Sequence, residues 1–305
     1  MSVVEMPKAP SAPAVETPLR RFVSEFLESR VAAMAVLVLA GIIVLAILAP
    51  WITPQNPYDL AQVDVLDSRL PPGTKSSSDT YTHWLGTDGA GRDLVSAMIY
   101  GLRISLLVGV LSGVIAMVIG AVVGMIAAYA GGRVESLIMR VVDLQLSFPA
   151  ILLALILIAV LGKGVDKIII ALVTVQWAYY ARTVRGTALV EARKEYIEAA
   201  RCLGLSSARI LFKHILPNCL APLIVVATVQ TAHAIALEAT LSFLGVGLPQ
   251  TEPSLGLLIS NGFEYMLSQK YWISFFPGLV LLLTIVAINL VGDQLRDVLN
   301  PRLKR

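Results

Sequence analysis

A polar stretch at residues 198–218 interrupts an otherwise strongly apolar chain. It begins EAARCLG (198–204) and continues, after nine residues, as HILPN (214–218). Lysine and arginine are concentrated around it, at Arg182, Arg185, Arg193, Lys194, Arg201, Arg209 and Lys213. Such a charged stretch between apolar runs predicts a segment that lies outside the membrane and meets a partner there.

Two short helices are predicted within this stretch. Gly204 suits the left-handed conformation that ends a helix, and Ser206 or Ser207 can cap a second helix that runs to His214. Apolar residues recur at helical spacing before the glycine, at Tyr196, Ile197, Ala200 and Leu203. The stretch is therefore predicted to fold as a compact pair of helices.

Glu198 has two interpretations within the first helix. As an exposed carboxylate it would be a fixed anionic contact for a partner, with Ala199 and Ala200 small enough for another surface to approach closely. In a merely solvated segment it would instead pair with Lys194 or Arg201 at helical spacing. Residue types alone leave both interpretations open.

The composition is that of an integral membrane protein. Of 305 residues, 56% are hydrophobic and 15% are charged, whereas a soluble protein has about 25% charged residues. The two cysteines, Cys202 and Cys219, have no zinc-site spacing and are too few for a disulfide framework. They are predicted to be free thiols.

Six apolar runs predict an all-α membrane protein with six transmembrane helices. The first, residues 31–50, is long enough at about 1.5 Å per residue to cross a hydrocarbon core of about 30 Å. Pro149 is expected to kink the third. The remaining five runs lie at about residues 103–128, 136–161, 166–181, 220–241 and 272–291.

Polar segments separate these runs. Residues 1–30 are predicted to be a tail, disordered to about residue 18 and then forming an interfacial helix. Residues 51–100 form a loop, and residues 294–305 form a charged tail. With six spans, most lysines and arginines fall on the side of the two termini, so both termini and residues 182–217 are predicted to be cytoplasmic.

Several polar or small residues within the predicted spans have a possible role. Glu238 could line a transport pathway or make an interfacial hydrogen bond, and Arg140 with Asp143 is predicted to form a structural ion pair. His233 and Asn289 are predicted to be packing or bridging residues. Two small-xxx-small pairs, Gly109 with Gly113 and Gly120 with Gly124, would allow close helix packing.

The polar stretch resembles the signature of the membrane subunits of binding-protein-dependent ATP-binding-cassette (ABC) importers. That pattern is Glu-Ala-Ala, three residues, Gly, nine residues, Ile, one residue, Leu-Pro. His214 stands at the isoleucine position, and this variant is similar to the dipeptide/oligopeptide/nickel branch. The matching residues are Glu198, Ala199, Ala200, Gly204, Leu216 and Pro217.

Other stretches resemble the same branch across nearly all of residues 20–305. They are LGTDGAGRD (85–93), YGLRISL (100–106), MRVVD (139–143), SFLG (242–245) and GDQLRD (292–297). One loop departs from the branch, since PQTEPSLG (249–256) lacks the usual tryptophan. That departure bears on the outer-loop contacts and therefore on the substrate class.

The resemblance implies a type I ABC importer permease fold, with residues 101–293 as the transport core and 182–217 as a cytoplasmic coupling segment. Glu198, Ala199, Ala200, Gly204, Leu216 and Pro217 would then engage an ATPase. The implied partners are a homologous second permease, two cytoplasmic ABC ATPases, an extracytoplasmic substrate-binding protein and membrane lipid, with no nucleic acid. The implied location is the bacterial inner (plasma) membrane.

The chain is not expected to be an enzyme or to hold a cofactor. It contains no Gly-x-x-x-x-Gly-Lys-Ser/Thr phosphate loop, so ATP and Mg²⁺ would be bound by the partner ATPases. The expected cargo is a di- or oligopeptide, with glutathione, nickel or another small solute as alternatives. A stand-alone secondary transporter would need more ionisable residues in mid-span, and an intramembrane protease would need paired catalytic groups there.

Overall fold

The computed structural model describes residues 17–252 and 254–299. The predicted disordered tail lies almost entirely outside these residues, as does the end of the C-terminal tail. The described chain starts with the short helix α1 (Pro18–Leu27), where an interfacial helix was expected, and α2 (Arg30–Ile52). Ser29 caps α2 by accepting a hydrogen bond from the Ala32 amide at 3.3 Å.

Residues 53–93 form a small polar unit, the cap, between α2 and α3. Two short 3₁₀ turns, Leu60–Gln62 and Val65–Asp67, precede the antiparallel strands β1 (Thr74–Lys75) and β2 (Thr82–His83). Thr74 pairs with His83 and Lys75 with Thr82. The predicted loop is therefore an ordered unit that contacts the start of the next helix.

The helix α3 (Leu94–Ala130) begins nine residues before the predicted span at 103–128. Its early start has a local cause, because Asp93 caps it by accepting from the Ser96 amide at 2.8 Å. Its glycines lie at interfaces: Gly109 and Gly113 face α8, and Gly120 and Gly124 face α6. The predicted close packing at these four positions is confirmed.

The predicted third span, 136–161, is not one helix. It is divided into α4 (Gly132–Ser147) and α5 (Ala150–Leu161), which meet at 92°. Pro149 occupies the junction, where its ring and missing N–H prevent the helical hydrogen bonds from continuing. The proline therefore turns the chain far more sharply than the predicted kink.

The helix α6 (Val165–Glu191) continues ten residues beyond the predicted end of the fourth span. After it come α7 (Glu195–Cys202), α8 (Ser207–Phe243), α9 (Leu255–Phe263) and α10 (Trp272–Leu299). Arg182 and Arg185 belong to α6 rather than to a loop, and they pair with Asp143 and Glu135 of α4. The predicted Arg140–Asp143 ion pair is therefore wrong.

The structure supports four or five membrane-crossing elements rather than a clear six. By length and composition, α2, α3, α8 and α10 could each cross a membrane, and the bent pair α4–α5 could be a fifth. Although α6 has 27 residues, polar and charged side chains at both ends shorten its apolar part. The core lies where α3, α6 and α8 pack together, and α10 adds to it through α8 and α9.

Replacing Gly120 by alanine is expected to destabilise the protein by about 1–3 kcal/mol through overpacking. The added Cβ would lie 2.5 Å from the Trp177 carbonyl oxygen of α6. Gly186→Ala is the control, since no atom lies within 4 Å of its added Cβ and alanine favours a helix by about 1 kcal/mol. Thermal unfolding of the purified protein in detergent measures both, and unchanged midpoints for Gly120→Ala would contradict the close packing.

Candidate functional site

The signature residues Glu198, Ala199 and Ala200 lie on α7, and Gly204 ends this helix as predicted. Gly204 has φ +73°, its amide donates to the Arg201 carbonyl at 3.0 Å, and the next amide, Leu205, donates to the Ala200 carbonyl at 3.2 Å. This pair of bonds is the glycine-ended helix cap known as a Schellman motif. Since a Cβ at residue 204 would meet no atom within 4 Å, only the backbone conformation requires glycine.

The second helix of the segment is continuous with α8 instead of ending at His214. Ser206 caps it by accepting from the Arg209 amide at 3.4 Å, and a π-helical turn spans Ile210–Ile215. Leu216 is half-buried and Pro217 is exposed in the first turn after it. A π-helical turn shifts the hydrogen-bond register, so Pro217 is accommodated within one long helix rather than marking a break.

The inner face of α7 packs against the bundle. Ile197 is fully buried and Ala200 nearly so, together with Ile210 and Ile215 from the following helix. These four join an apolar cluster that includes Val184 of α6. The pair of helices is therefore anchored by a continuous apolar core, so that α7 is packed as part of the bundle.

The outer face of α7 is exposed and carries a carboxylate without a partner. Within the described residues, the Glu198 carboxylate makes no hydrogen bond or ion pair. Lys194 pairs instead with Glu191, with Nζ 2.6 Å from Oε2, so the alternative pairing of Glu198 with Lys194 is wrong. The segment also exposes apolar side chains, Leu203 at the end of α7 at 79% and Phe212 in the π-helical turn of α8 at 67%.

A buried carboxylate that the sequence did not single out ties this segment together. Glu191, 5% exposed at the end of α6, accepts hydrogen bonds from Lys194 and from the Tyr196 hydroxyl. The Asn218 side-chain amide donates to the Tyr196 oxygen at 3.2 Å and to the His214 carbonyl at 2.7 Å. The only sequence signal for this network was the three-residue spacing of Glu191 and Lys194.

The protonation of the network is fixed by its contacts. Burial raises the pKa of Glu191, but hydrogen bonds from the Lys194 ammonium and the Tyr196 hydroxyl outweigh it, so that the net pKa lies below the usual range. Burial and the neighbouring Glu191 carboxylate raise the pKa of Tyr196 to about 12. At neutral pH Glu191 is thus charged and Tyr196 is a donor.

Glu238 lies near the C-terminal end of α8, far along the chain from α7, and is fully buried. Its carboxylate accepts from the Ser105 hydroxyl of α3 at 3.0 Å and from the Ser242 hydroxyl at 2.8 Å. The Ser105 contact joins α3 to α8 within the buried core. Glu238 is also absent from the lining of the large cavity between α6, α8 and α10, so its role as a pathway residue stays a prediction.

The 85–93 stretch has a structural explanation in the cap. His83 is fully buried between two carboxylates, with Nδ1 3.0 Å from Asp93 and Nε2 3.4 Å from Asp67. The Arg92 guanidinium binds Asp88 at 2.7 Å and donates to the Gln250 carbonyl at 3.2 Å. The cap is therefore tied to α3 at one end and to the α8–α9 loop at the other.

Asp93→Ala is expected to cost about 2–4 kcal/mol of stability, because it removes both a helix cap, worth about 1 kcal/mol, and a buried charged acceptor, worth about 1.5–3 kcal/mol. Asp59→Ala is the control, since among the described residues the Asp59 carboxylate accepts only from the Ala61 amide and the Gln62 side-chain amide of its own turn, and its replacement should cost no more than about 1 kcal/mol. Thermal unfolding compares the two. Equal losses of stability in the two variants would mean that the contact between Asp93 and the buried His83 does not stabilise the protein.

Two family models match the chain. The model described as binding-protein-dependent transport system inner membrane component matches residues 120–305, more than half of the chain. A second, described as the N-terminal TM domain of oligopeptide transport permease C, matches residues 17–72. Together they account for both the α7 signature region and the first two helices.

Two known permease proteins are similar to the chain over nearly their whole length. The chain is 41% identical to the dipeptide transport system permease protein DppC of Escherichia coli K12 over all of both chains. It is 36% identical to the di/tripeptide transport system permease protein DppC of Pseudomonas aeruginosa, covering 94% of this chain and 93% of that one. These relatives are transport components rather than enzymes.

Among solved structures, the chain resembles a subunit of the methionine ABC transporter MetNI in an inward-facing conformation. The TM-score is 0.56 at 22% identity, covering 68% of this chain and 98% of that one. The likeness supports the helical permease fold described above. On the family match and the full-length relatives, the chain belongs to the binding-protein-dependent transport system inner membrane components, as a permease subunit of the ABC importer class.

Proposed function

We propose that the chain is a membrane-spanning subunit of an importer that moves di- and oligopeptides across the bacterial inner membrane. The two DppC relatives, whose names specify dipeptides and di/tripeptides, support this cargo. Glutathione, nickel or another small solute is the alternative for the same machinery. A stand-alone secondary transporter is a second class, which the exposed, partnerless face of α7 disfavours.

The proposed coupling mechanism rests on one observation, the exposed outer face of α7. A free Glu198 carboxylate on a segment that also exposes Leu203 and Phe212 suits the groove of a second protein. We infer that this protein is a cytoplasmic ABC ATPase, which binds ATP and Mg²⁺. Glu198, Ala199, Gly204, Leu216 and Pro217 would belong to the coupling surface, and Ala200 would support it from the apolar core beneath α7. Closure of the ATPases would move α7 with the helices it is packed on.

The remaining architecture follows from that assignment. Both α6 and the bent pair α4–α5 would count as spans, giving six, with both termini and α7 in the cytoplasm. The cap would face the opposite side and meet the substrate-binding protein. A homologous second permease and two ATPase subunits would complete the transporter, and this chain would bind no cofactor of its own.

Reconstitution in liposomes tests the proposal. The chain, its second permease, both ATPases and the binding protein should take up labelled dialanine only when ATP is supplied on the ATPase side. Excess unlabelled peptide should compete, whereas glutathione and Ni²⁺ should not. Competition by either of these alone would reassign the cargo, and gradient-driven uptake by the chain without ATPases would make it a secondary transporter.

A further inference from the structure

A cavity of about 840 Å³ opens between α6, α8 and α10 at the end of the bundle that carries α7. Its volume lies within the range of about 300–1,000 Å³ that is usual for small-molecule sites. Most of its wall is apolar, but polar and charged side chains are placed at two levels. Its lining includes Tyr179, Thr183, Gln230, Gly292, Asp293 and Arg296.

Gln230 supplies the polar group at the inner level. It is 7% exposed, and its Nε2 has no hydrogen-bond partner within the described residues. A buried polar group left unpaired is costly. Its neighbours in the wall, Val226 and Val229, offer no partner, so a polar ligand in the cavity would satisfy it.

Charges of both signs lie at the outer level. Asp293 and Arg296 are exposed, one helical turn apart on α10, and neither forms an ion pair with any other described residue. The neighbouring Gly292 packs against Thr228, whose hydroxyl would be 2.5 Å from an added Cβ. Because Thr228 is two residues from Gln230 on α8, this contact brings the charged pair close to the level of the unpaired amide.

We propose that this cavity is a transient binding site for the backbone of the transported peptide. Gln230 would hydrogen-bond a peptide group, while Asp293 and Arg296 would face the terminal ammonium and carboxylate of a short zwitterionic peptide. Recognition through groups that every peptide shares explains why the rest of the wall is apolar and unspecific. The inference rests on the proposed function, since it takes a peptide as the cargo.

Gln230→Leu in the complete reconstituted transporter tests the site. Loss of one hydrogen bond is expected to reduce dialanine uptake about three- to tenfold, with ATP hydrolysis stimulated by the binding protein retained. Gln176→Leu is a matched control. Gln176 is also buried, at 1% exposed against 7% for Gln230, and its amide is also unpartnered among the described residues. It does not line this cavity, so its replacement should leave uptake unchanged.

The outcomes separate the site from the function. Unchanged uptake by Gln230→Leu, with dialanine imported normally by the unaltered transporter, overturns the site and leaves the proposed function standing. Failure of the unaltered transporter to import any peptide overturns both.

A photoreactive side chain identifies the occupant of the cavity directly. With p-benzoylphenylalanine in place of Gln230, irradiation during turnover should attach labelled peptide to this chain. Attachment to the second permease alone would show that a partner helix, rather than cargo, fills the cavity.

Discussion

Glu198→Ala is expected to lower peptide uptake by at least about tenfold while the protein folds and inserts normally. The side chain is exposed and makes no hydrogen bond or ion pair with the described residues, so its removal should not destabilise the fold. Alanine is also the best helix former. A hydrogen bond to a charged group is worth about 1.5–3 kcal/mol, which corresponds to about ten- to a hundredfold in the affinity of an ATPase for this face.

The matched control is Glu195→Ala on the same helix. Glu195 is also an exposed glutamate on α7, but it is not one of the signature residues. Uptake, binding-protein-stimulated ATP hydrolysis and co-purification of the ATPases should be measured for both variants. If both reduce uptake equally, general charge on α7 matters rather than a defined contact, and if neither does, α7 is not the coupling surface.

Gly204 offers a second approach to the same surface. Its φ of +73° favours glycine and tolerates asparagine, so Gly204→Asn should retain more uptake than Gly204→Val. The added Cβ meets no neighbour. The difference in uptake between the two variants would thus report the backbone conformation at the end of α7. Similar uptake by both would mean that the shape of this turn is irrelevant to coupling.

Local features of the fold were predictable because they depend on neighbouring residues. The apolar runs, the left-handed Gly204 and the serine cap all follow from residue type and spacing. The 92° turn at Pro149 was underestimated because a proline specifies a break but not an angle. The true end of α6 was missed since its arginines were assigned to a loop, whereas the helix continues through them and they pair with carboxylates of α4.

Pairing between charged side chains was the least predictable part of the candidate site. Lys194 has Glu191 three residues before it and Glu198 four residues after it, and both spacings are compatible with a pair. The chain leaves α6 at Ala192 and starts α7 at Glu195, which turns Lys194 toward Glu191. This turn in the folded chain determines that Lys194 forms its ion pair with Glu191 and leaves Glu198 without one.

The second prediction with a large expected effect concerns this buried carboxylate. Glu191→Gln or Tyr196→Phe should release α7 from α6 and α8 without removing the apolar contacts of Ile197 and Ala200. Removing a hydrogen bond to a charged group at about 1.5–3 kcal/mol should raise the population of the detached state about tenfold or more. Less peptide should then be transported for each ATP hydrolysed.

Hydrogen exchange followed by mass spectrometry measures the release independently of transport. Amides of residues 195–204 should exchange about tenfold faster in either variant, since local opening governs their exchange. Tyr129→Phe is the control, because Tyr129 is exposed at the end of α3 and its hydroxyl forms no hydrogen bond among the described residues. Unchanged exchange in Glu191→Gln would contradict an anchoring role.

Lowering the pH toward 6 should not reproduce the effect of these substitutions. The folded-state pKa of Glu191 lies below its ordinary value, which for glutamate is about 4.3. Its contribution to stability is therefore complete above that ordinary value and is lost only as the pH falls through the lower folded-state pKa. Exchange of residues 195–204, corrected for its intrinsic pH dependence, should stay constant between about pH 8 and pH 6. A rise in that range would mean that Glu191 is not held as a carboxylate by Lys194 and Tyr196.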